Sequence, residues 1–207
     1  MVVPLLRVDN LTRQYTRGLL RRQVTFSLAA DFVLDRPQVV GVMGPNGSGK
    51  TTLFELITGS NRPSGGRVLV NGQDIHQVRT RERDRLAIHY HQSYQVRSFQ
   101  RSKPDFMLDH AAGRTPLVHL FDEPQFNPQD GYIGFMLDFF AQLRAAGKLV
   151  FLCLHPNEPY HIDILRASCE RFLYVQQGVV TQAPHWDALM TDQRVRSYLG
   201  ALAPQPA

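Results

Sequence analysis

Val39-Val40-Gly41-Val42-Met43 runs directly into Gly44-Pro45-Asn46-Gly47-Ser48-Gly49-Lys50-Thr51-Thr52, and Leu53-Phe54-Glu55-Leu56-Ile57 follows. The first run is apolar and β-branched, as in a strand buried on both faces, and the last reads as the opening of a helix. Between them stands the pattern Gly-x4-Gly-Lys-Thr, in the strand–loop–helix context that such a loop requires. Glycines let the backbone curl until successive N–H groups converge on phosphate oxygens, and the helix N-terminus adds the positive end of its dipole. On this reading residues Gly44, Pro45, Asn46, Gly47, Ser48, Gly49 and Thr52 surround the phosphates. Lys50 holds the β- and γ-phosphates, and the Thr51 hydroxyl ligates Mg²⁺.

Working outward, apolar runs bounded by turn residues place further strands at 5–8, 24–28, 67–70, 86–90, 117–121, 149–154 and 172–175, with the loop's own strand at 39–43. Ile133, Met136, Leu137, Phe140 and Leu143 recur on one helical face that Gly147 ends. Strands alternating with helices predict an α/β fold with a mainly parallel sheet flanked by helices. Leu117-Val118-His119-Leu120-Phe121-Asp122-Glu123 is a buried-type strand ending in two adjacent carboxylates, which divide labour. Asp122 binds Mg²⁺, commonly through water, while Glu123 points elsewhere and polarises the attacking water as a general base.

With 207 residues the chain reads as one domain over 1–202 and a frayed tail over 203–207. A formal charge of +5 invites a polyanion partner, but an excess of this size fits a soluble surface with a basic ligand site, and nucleic acid is not expected. The run Arg79-Thr80-Arg81-Glu82-Arg83-Asp84-Arg85 mixes signs and reads as a solvated helix face. Two cysteines make no disulfide framework and fit a reducing compartment, by default the cytoplasm. Neither a secretory signal nor an apolar stretch of the roughly 18 residues that span a bilayer is visible.

Gly44 to Thr52, together with Asp122-Glu123-Pro124, resembles the Walker A and Walker B motifs of ABC-type ATPases. The likeness extends to Val8-Asp9-Asn10-Leu11-Thr12 with Tyr15, to Val24-Thr25-Phe26-Ser27-Leu28 and to Val70-Asn71-Gly72-Gln73-Asp74-Ile75. It implies the phosphate-loop fold of ABC type, with an N-terminal antiparallel β subdomain, and ATP and Mg²⁺ as ligands. Tyr15 falls where the family stacks an aromatic on adenine. Gln92 falls at the glutamine that touches Mg²⁺ and the lytic water, and His155 at the switch histidine that contacts the γ-phosphate. Residues 189–200 are similar to the tail of cassettes serving branched-chain amino-acid import or lipopolysaccharide export.

The resemblance also has gaps. The family signature Leu-Ser-Gly-Gly-Gln is absent; its slot falls near Ser98-Phe99-Gln100-Arg101-Ser102, and residues 105–114 resemble the helix that follows it. So little chain separates Gln92 from that slot that the helical subdomain reads as truncated. A homodimer then lacks the donors that the signature supplies across the interface, so hydrolysis is expected to be slow unless a second, signature-bearing cassette is the partner. Alternatively Ser98, Arg101 or Ser102 substitutes within a dimer of this chain. The loop Gln125-Phe126-Asn127-Pro128-Gln129-Asp130 and the segment 156–160 also depart from the family pattern. The leading expectation is an ATP-hydrolysing subunit at the cytoplasmic face of a membrane, coupled to a membrane-embedded partner protein. A soluble ATPase that remodels a complex, and a regulatory ATP-binding module with little hydrolysis, remain open alternatives.

Overall fold

The run ahead of the glycine loop forms β3 (Gln38–Met43), every residue of which is buried. A computed structural model describes residues 3–18, 23–91, 116–124 and 132–204 of the chain. In order along the chain come β1 (Leu6–Arg17), β2 (Gln23–Leu34), β3, α1 (Lys50–Ile57), β4 (Gly65–Val70), β5 (Gln73–Asp74), α2 (Thr80–Leu86) and β6 (Ala87–His91). They are followed by β7 (Val118–Asp122), α3 (Tyr132–Ala145), β8 (Leu149–Cys153), α4 (Pro159–Ser168), β9 (Arg171–Gln176), β10 (Val179–Ala183), α5 (Trp186–Met190) and α6 (Gln193–Leu199), with a final 3₁₀ turn at Gly200–Leu202.

Among the described residues the strands form one sheet in the order β5-β4-β1-β2-β10-β9-β3-β8-β7-β6. From β9 to β6 neighbouring strands run parallel, with β3 between β9 and β8. β7 and β8, like β3, are buried throughout, which is why they read as unbroken apolar runs rather than alternating ones. β1, β2, β4 and β5 are antiparallel, and β2 joins the parallel part through Val179 of β10 opposite Ala29. From Leu28 to Leu34 β2 alternates buried and exposed residues, as a strand does with one face on the core and one in water. The mixed α/β architecture with a mainly parallel sheet is thus as expected.

Two cores lie on the two faces of the central strands. Val40, Val42, Leu120, Phe151 and Cys153 face α1, where Leu53, Phe54, Leu56 and Ile57 are fully buried. Val39, Met43, Phe121, Val150 and Leu152 face α3 and α4, against Phe139, Phe140, Leu143 and Leu165. This strict division by odd and even position keeps β3 in register, because a slip of one residue would exchange the two sets. Burial of a side chain such as Phe54 contributes about 3 kcal/mol, so α1, which carries the end of the loop, is firmly seated.

Several boundaries differ from the expected ones. β1 continues well past Val8, through a register shift between Val8 and Leu11 where Asn10 takes a positive φ of 45° and its N–H bonds Asp31 Oδ2. The polar sequence after Val8 carries no strand pattern and is extended because β2 pairs with it. β2 likewise runs on from Leu28 to Leu34, Leu86 ends α2 rather than opening β6, and β5, β10 and the short helices α5 and α6 are additional elements. The expected truncation of the helical subdomain, the signature slot at Ser98, Arg101 and Ser102, and Asp130 lie outside the described residues.

The buried face also holds a polar pair. His119, 2% exposed, holds its ring parallel to those of Tyr90 and Phe121, which stack on each other at 4.5 Å, donates from Nε2 to the Pro116 carbonyl at 3.1 Å and accepts the Tyr90 hydroxyl at Nδ1. Burial, reinforced by Lys148, pulls its pKa down to about 4 although the Pro116 carbonyl works against the shift. Below the ordinary value of 6.5 the unfolded chain binds a proton that the folded chain refuses until about pH 4, so stability is full above 6.5 and declines between those values. Urea denaturation at pH 7 and pH 5 should show a stability loss in which His119 accounts for about 2 kcal/mol, and His119→Gln should remove that part of the decline.

Candidate functional site

The glycine loop crosses the C-terminal edge of the parallel strands, where β3 ends, and is held from both sides. Gly44 has φ 148°, and a Cβ there would lie 2.0 Å from the carbonyl oxygen of Val175 in β9. Gly49, φ 110°, would drive a Cβ to 2.8 Å from the Phe26 ring in β2. Only glycine permits both the left-handed turns and the close approach of the neighbouring strands. Gly178, in the β9–β10 turn, donates its N–H to the Ser48 carbonyl at 2.9 Å, and the Ser48 N–H bonds the Pro45 carbonyl.

Inside this curl Lys50 is only 6% exposed, and its ammonium donates to the carbonyls of Gly44 at 2.7 Å and Pro45 at 3.0 Å. Among the described residues no carboxylate forms an ion pair with it. A buried cation without a counter-charge is costly, and the surrounding groups call for an anion. Ser48 Oγ is buried with no hydrogen-bond partner among the described residues, a second group left open toward the loop. Both observations fit the phosphates of a nucleotide.

At the start of α1 the Thr51 hydroxyl donates to Asp122 Oδ2 at 2.9 Å, so that the end of β7 and the end of the loop meet. His89 Nε2 donates to the same oxygen at 3.2 Å from the adjacent β6, and the Cys153 thiol bonds the carboxylate from β8. Burial pushes the Asp122 carboxyl up, but the bonds from His89, Thr51 and Cys153 together outweigh it and hold it below the ordinary range, as an anion. A hydroxyl beside an ionised carboxylate is a donor set suited to Mg²⁺, which takes oxygen ligands and keeps few from the protein.

Glu123 diverges from its neighbour through backbone conformation. Its φ of 51° is left-handed, its N–H bonds the Cys153 carbonyl at 3.0 Å, and it lines a cleft of about 350 Å³ with Asn46, Gly47, Gly49, Lys50, Thr51, Thr52 and Phe26. A left-handed glutamate costs about 1 kcal/mol, retained here where the side chain has to face away from Asp122.

The structure therefore gathers Asn46, Gly47, Gly49, Lys50, Thr51, Thr52 and Glu123 around one cleft, with Asp122 against Thr51. Pro45 faces the other side of the loop, toward Tyr174 and Tyr198. Tyr15 stands one ring further out: its hydroxyl accepts from Asn61 Nδ2 at 2.6 Å, the Arg13 guanidinium lies 4.7 Å from its ring, and Phe26 stands between it and the loop side. His155 follows β8, and its Nδ1 shares a hydrogen bond of 2.9 Å with the Tyr198 hydroxyl. Gln92 lies outside the described residues. Sequence reasoning did not single out Phe26, His89, Cys153 or Tyr198 as site residues. His89 sits two positions before the residue paired with Asp122, in a strand otherwise read as apolar, and that polar intrusion was the available signal.

A phosphate-wrapping loop at the C-terminal edge of a parallel sheet defines the phosphate-loop class of α/β nucleotide-binding folds. The family described as ABC transporter matches residues 29–123. The cytochrome c biogenesis ATP-binding export protein CcmA of Escherichia coli strain K12 is 32% identical over 166 residues, covering 80% of this chain and 67% of that protein. The chain spans between 21% and 35% of the length of several other curated relatives that it matches. Its fold is also that of an ABC transporter ATP-binding cassette solved in its ADP conformation, with a TM-score of 0.67 at 16% identity over 94% of this chain and 98% of that one. The same holds for a cassette solved as a dimer with ADP and Pi, with a TM-score of 0.61 at 17% identity over 86% and 98% of the two chains. This chain belongs to the ATP-binding cassette family of ABC transporters.

Gly44→Ala tests how tightly β9 backs the loop. With a backbone oxygen 2.0 Å from the new methyl and a positive φ, the substitution should cost at least ~3 kcal/mol in urea denaturation; a loss below 1 kcal/mol would show that loop and strand separate readily.

Proposed function

We propose that this chain binds ATP with Mg²⁺ in the cleft between the glycine loop and Glu123 and hydrolyses it, as a subunit coupled to a membrane-embedded partner. The observation that carries the reading is the buried Lys50 ammonium, met among the described residues by the carbonyl oxygens of Gly44 and Pro45, in the same cleft that Glu123 lines. In hydrolysis a water oxygen attacks the γ-phosphorus, the bond to the β–γ bridging oxygen breaks, and ADP departs with that electron pair while the water gives up a proton. Lys50 and the loop N–H groups hold the β- and γ-phosphates as negative charge shifts toward ADP. Glu123 orients and polarises the water, His155 contacts the γ-phosphate, and Gln92 reaches the water and the metal. Tyr15 takes the adenine side, with Phe26 as the inner wall of the cleft. Mg²⁺, held by Thr51 and Asp122, supplies neutralisation of the phosphate oxygens.

The cellular role is drawn from relatives. CcmA is an ATP-binding export protein, and a cassette of the same fold forms a dimer with ADP and Pi. We assign this chain to an equivalent dimer, with a signature-bearing second cassette or with itself, at the cytoplasmic face of a membrane. Among the described residues no helix is long and apolar enough to cross a membrane.

The test is ATP turnover by the purified chain with Glu123→Gln and Lys50→Ala. Glu123→Gln should lower kcat at least ~100-fold, the scale of a lost general base, and keep ATP binding. Lys50→Ala should weaken ATP binding at least ~10-fold, since about 1.4 kcal/mol of phosphate contact suffices for that. Undiminished turnover in Glu123→Gln would sink the assignment of the base. Elution as a dimer with ATP and Mg²⁺ would make the chain self-sufficient, and a monomer would move the completing surface to another cassette.

A further inference from the structure

The C-terminal helix α6 delivers a phenol to the nucleotide site. The Tyr198 hydroxyl lies 2.9 Å from Nδ1 of His155, and the backbone N–H of Gly44, the first residue of the glycine loop, bonds the same oxygen. A phenol has one proton. Among the described residues the acceptor within hydrogen-bond reach of that proton is Nδ1 of His155, 2.9 Å away, so the phenol donates there and Nδ1 accepts. The neutral imidazole accordingly carries its hydrogen on Nε2, the nitrogen turned away from Tyr198. Burial raises the Tyr198 pKa, so the phenol stays a donor.

The phenol is held where it is by more than its own bonds. Val195 and Leu199 on the same helix are buried, and Asp192 caps the helix by accepting the Arg194 N–H at 2.9 Å. The Tyr174 hydroxyl of β9 donates to the Arg194 carbonyl at 3.3 Å, and the Tyr174 and Tyr198 rings stand 5.9 Å apart. The helix is thus docked on the strand whose Val175 backs Gly44.

We propose that Tyr198 is a positioning residue for ATP hydrolysis: it fixes His155 as the Nε2–H tautomer and ties that ring to the first residue of the glycine loop. The proposal rests on the reading of His155 as a γ-phosphate contact. It makes α6 a working part of the nucleotide site, because a histidine locked this way presents an N–H donor toward phosphate oxygen without having to reorient as charge develops.

The experiment is ¹⁵N NMR of the imidazole of His155 in the full chain, with turnover and ATP affinity of Tyr198→Phe and His155→Ala. In the wild type the ring should be the Nε2–H tautomer, and in Tyr198→Phe, which keeps the ring and loses the hydroxyl, a mixture. The same variant should lose about 10-fold in kcat, at the low end for partners that orient a functional histidine, with ATP affinity changed less than twofold. An Nδ1–H or doubly protonated ring in the wild type overturns the proposal without any variant. So does a Tyr198→Phe protein with wild-type kcat beside an inactive His155→Ala. A fully active His155→Ala overturns instead the underlying reading of the histidine.

Discussion

Taking the Lys50 ammonium out of water and surrounding it with carbonyl oxygens is the constraint on which the site depends. A charge in that position is tolerable only because Gly44 and Pro45 turn their carbonyls inward, and they do so only because the loop is curled by positive φ at Gly44, Gly47 and Gly49. The curl in turn requires firm walls. β9 supplies one at Val175 and β2 the other at Phe26, so strands from both halves of the sheet set the shape of a loop to which neither is adjacent in sequence.

The sheet order explains how the chemistry converges. β3, β8 and β7 are parallel neighbours, so their C-terminal ends lie side by side and bring the glycine loop, His155 and the Asp122–Glu123 pair to one edge. Two adjacent carboxylates then need only one backbone change to serve separately. Asp122 stays in extended conformation against Thr51 and His89, while the left-handed turn at Glu123 sends its side chain into the cleft. The ionised state of Asp122 is the sum of opposed influences, and removing its hydrogen-bond donors would leave burial to dominate.

What could be read from the sequence was whatever has a local signature. β3, β7 and β8 are continuous apolar runs because both faces are covered, and the glycine pattern between β3 and α1 marks the loop. The second half of β1 was illegible because its residues are polar and extended only through pairing with β2, across a bulge at Asn10. α5 and α6 are five and seven residues long, too short for periodicity to declare, and are fixed by caps at His185 and Asp192. The contacts of His89 with Asp122 and of Tyr198 with His155 join residues far apart in the chain, and no local pattern encodes them. His155 itself was found through family likeness, which carries position but not the identity of its hydrogen-bond partner.

The turn at Gly178 has a consequence for the order in which the protein acquires its properties. Its N–H holds the Ser48 carbonyl, and its own carbonyl receives the Ala29 N–H, so one late residue stitches the glycine loop to an early strand. During synthesis the loop sequence is complete long before β8, β9 and that turn exist. Contacts of such wide sequence separation close slowly, and a parallel sheet whose central strand awaits both neighbours stays open meanwhile. Competence to hold a nucleotide therefore arrives only once β9 and that turn have been made, in the same event that closes the sheet, and until then the nascent chain carries its phosphate loop without the walls that give the loop its shape.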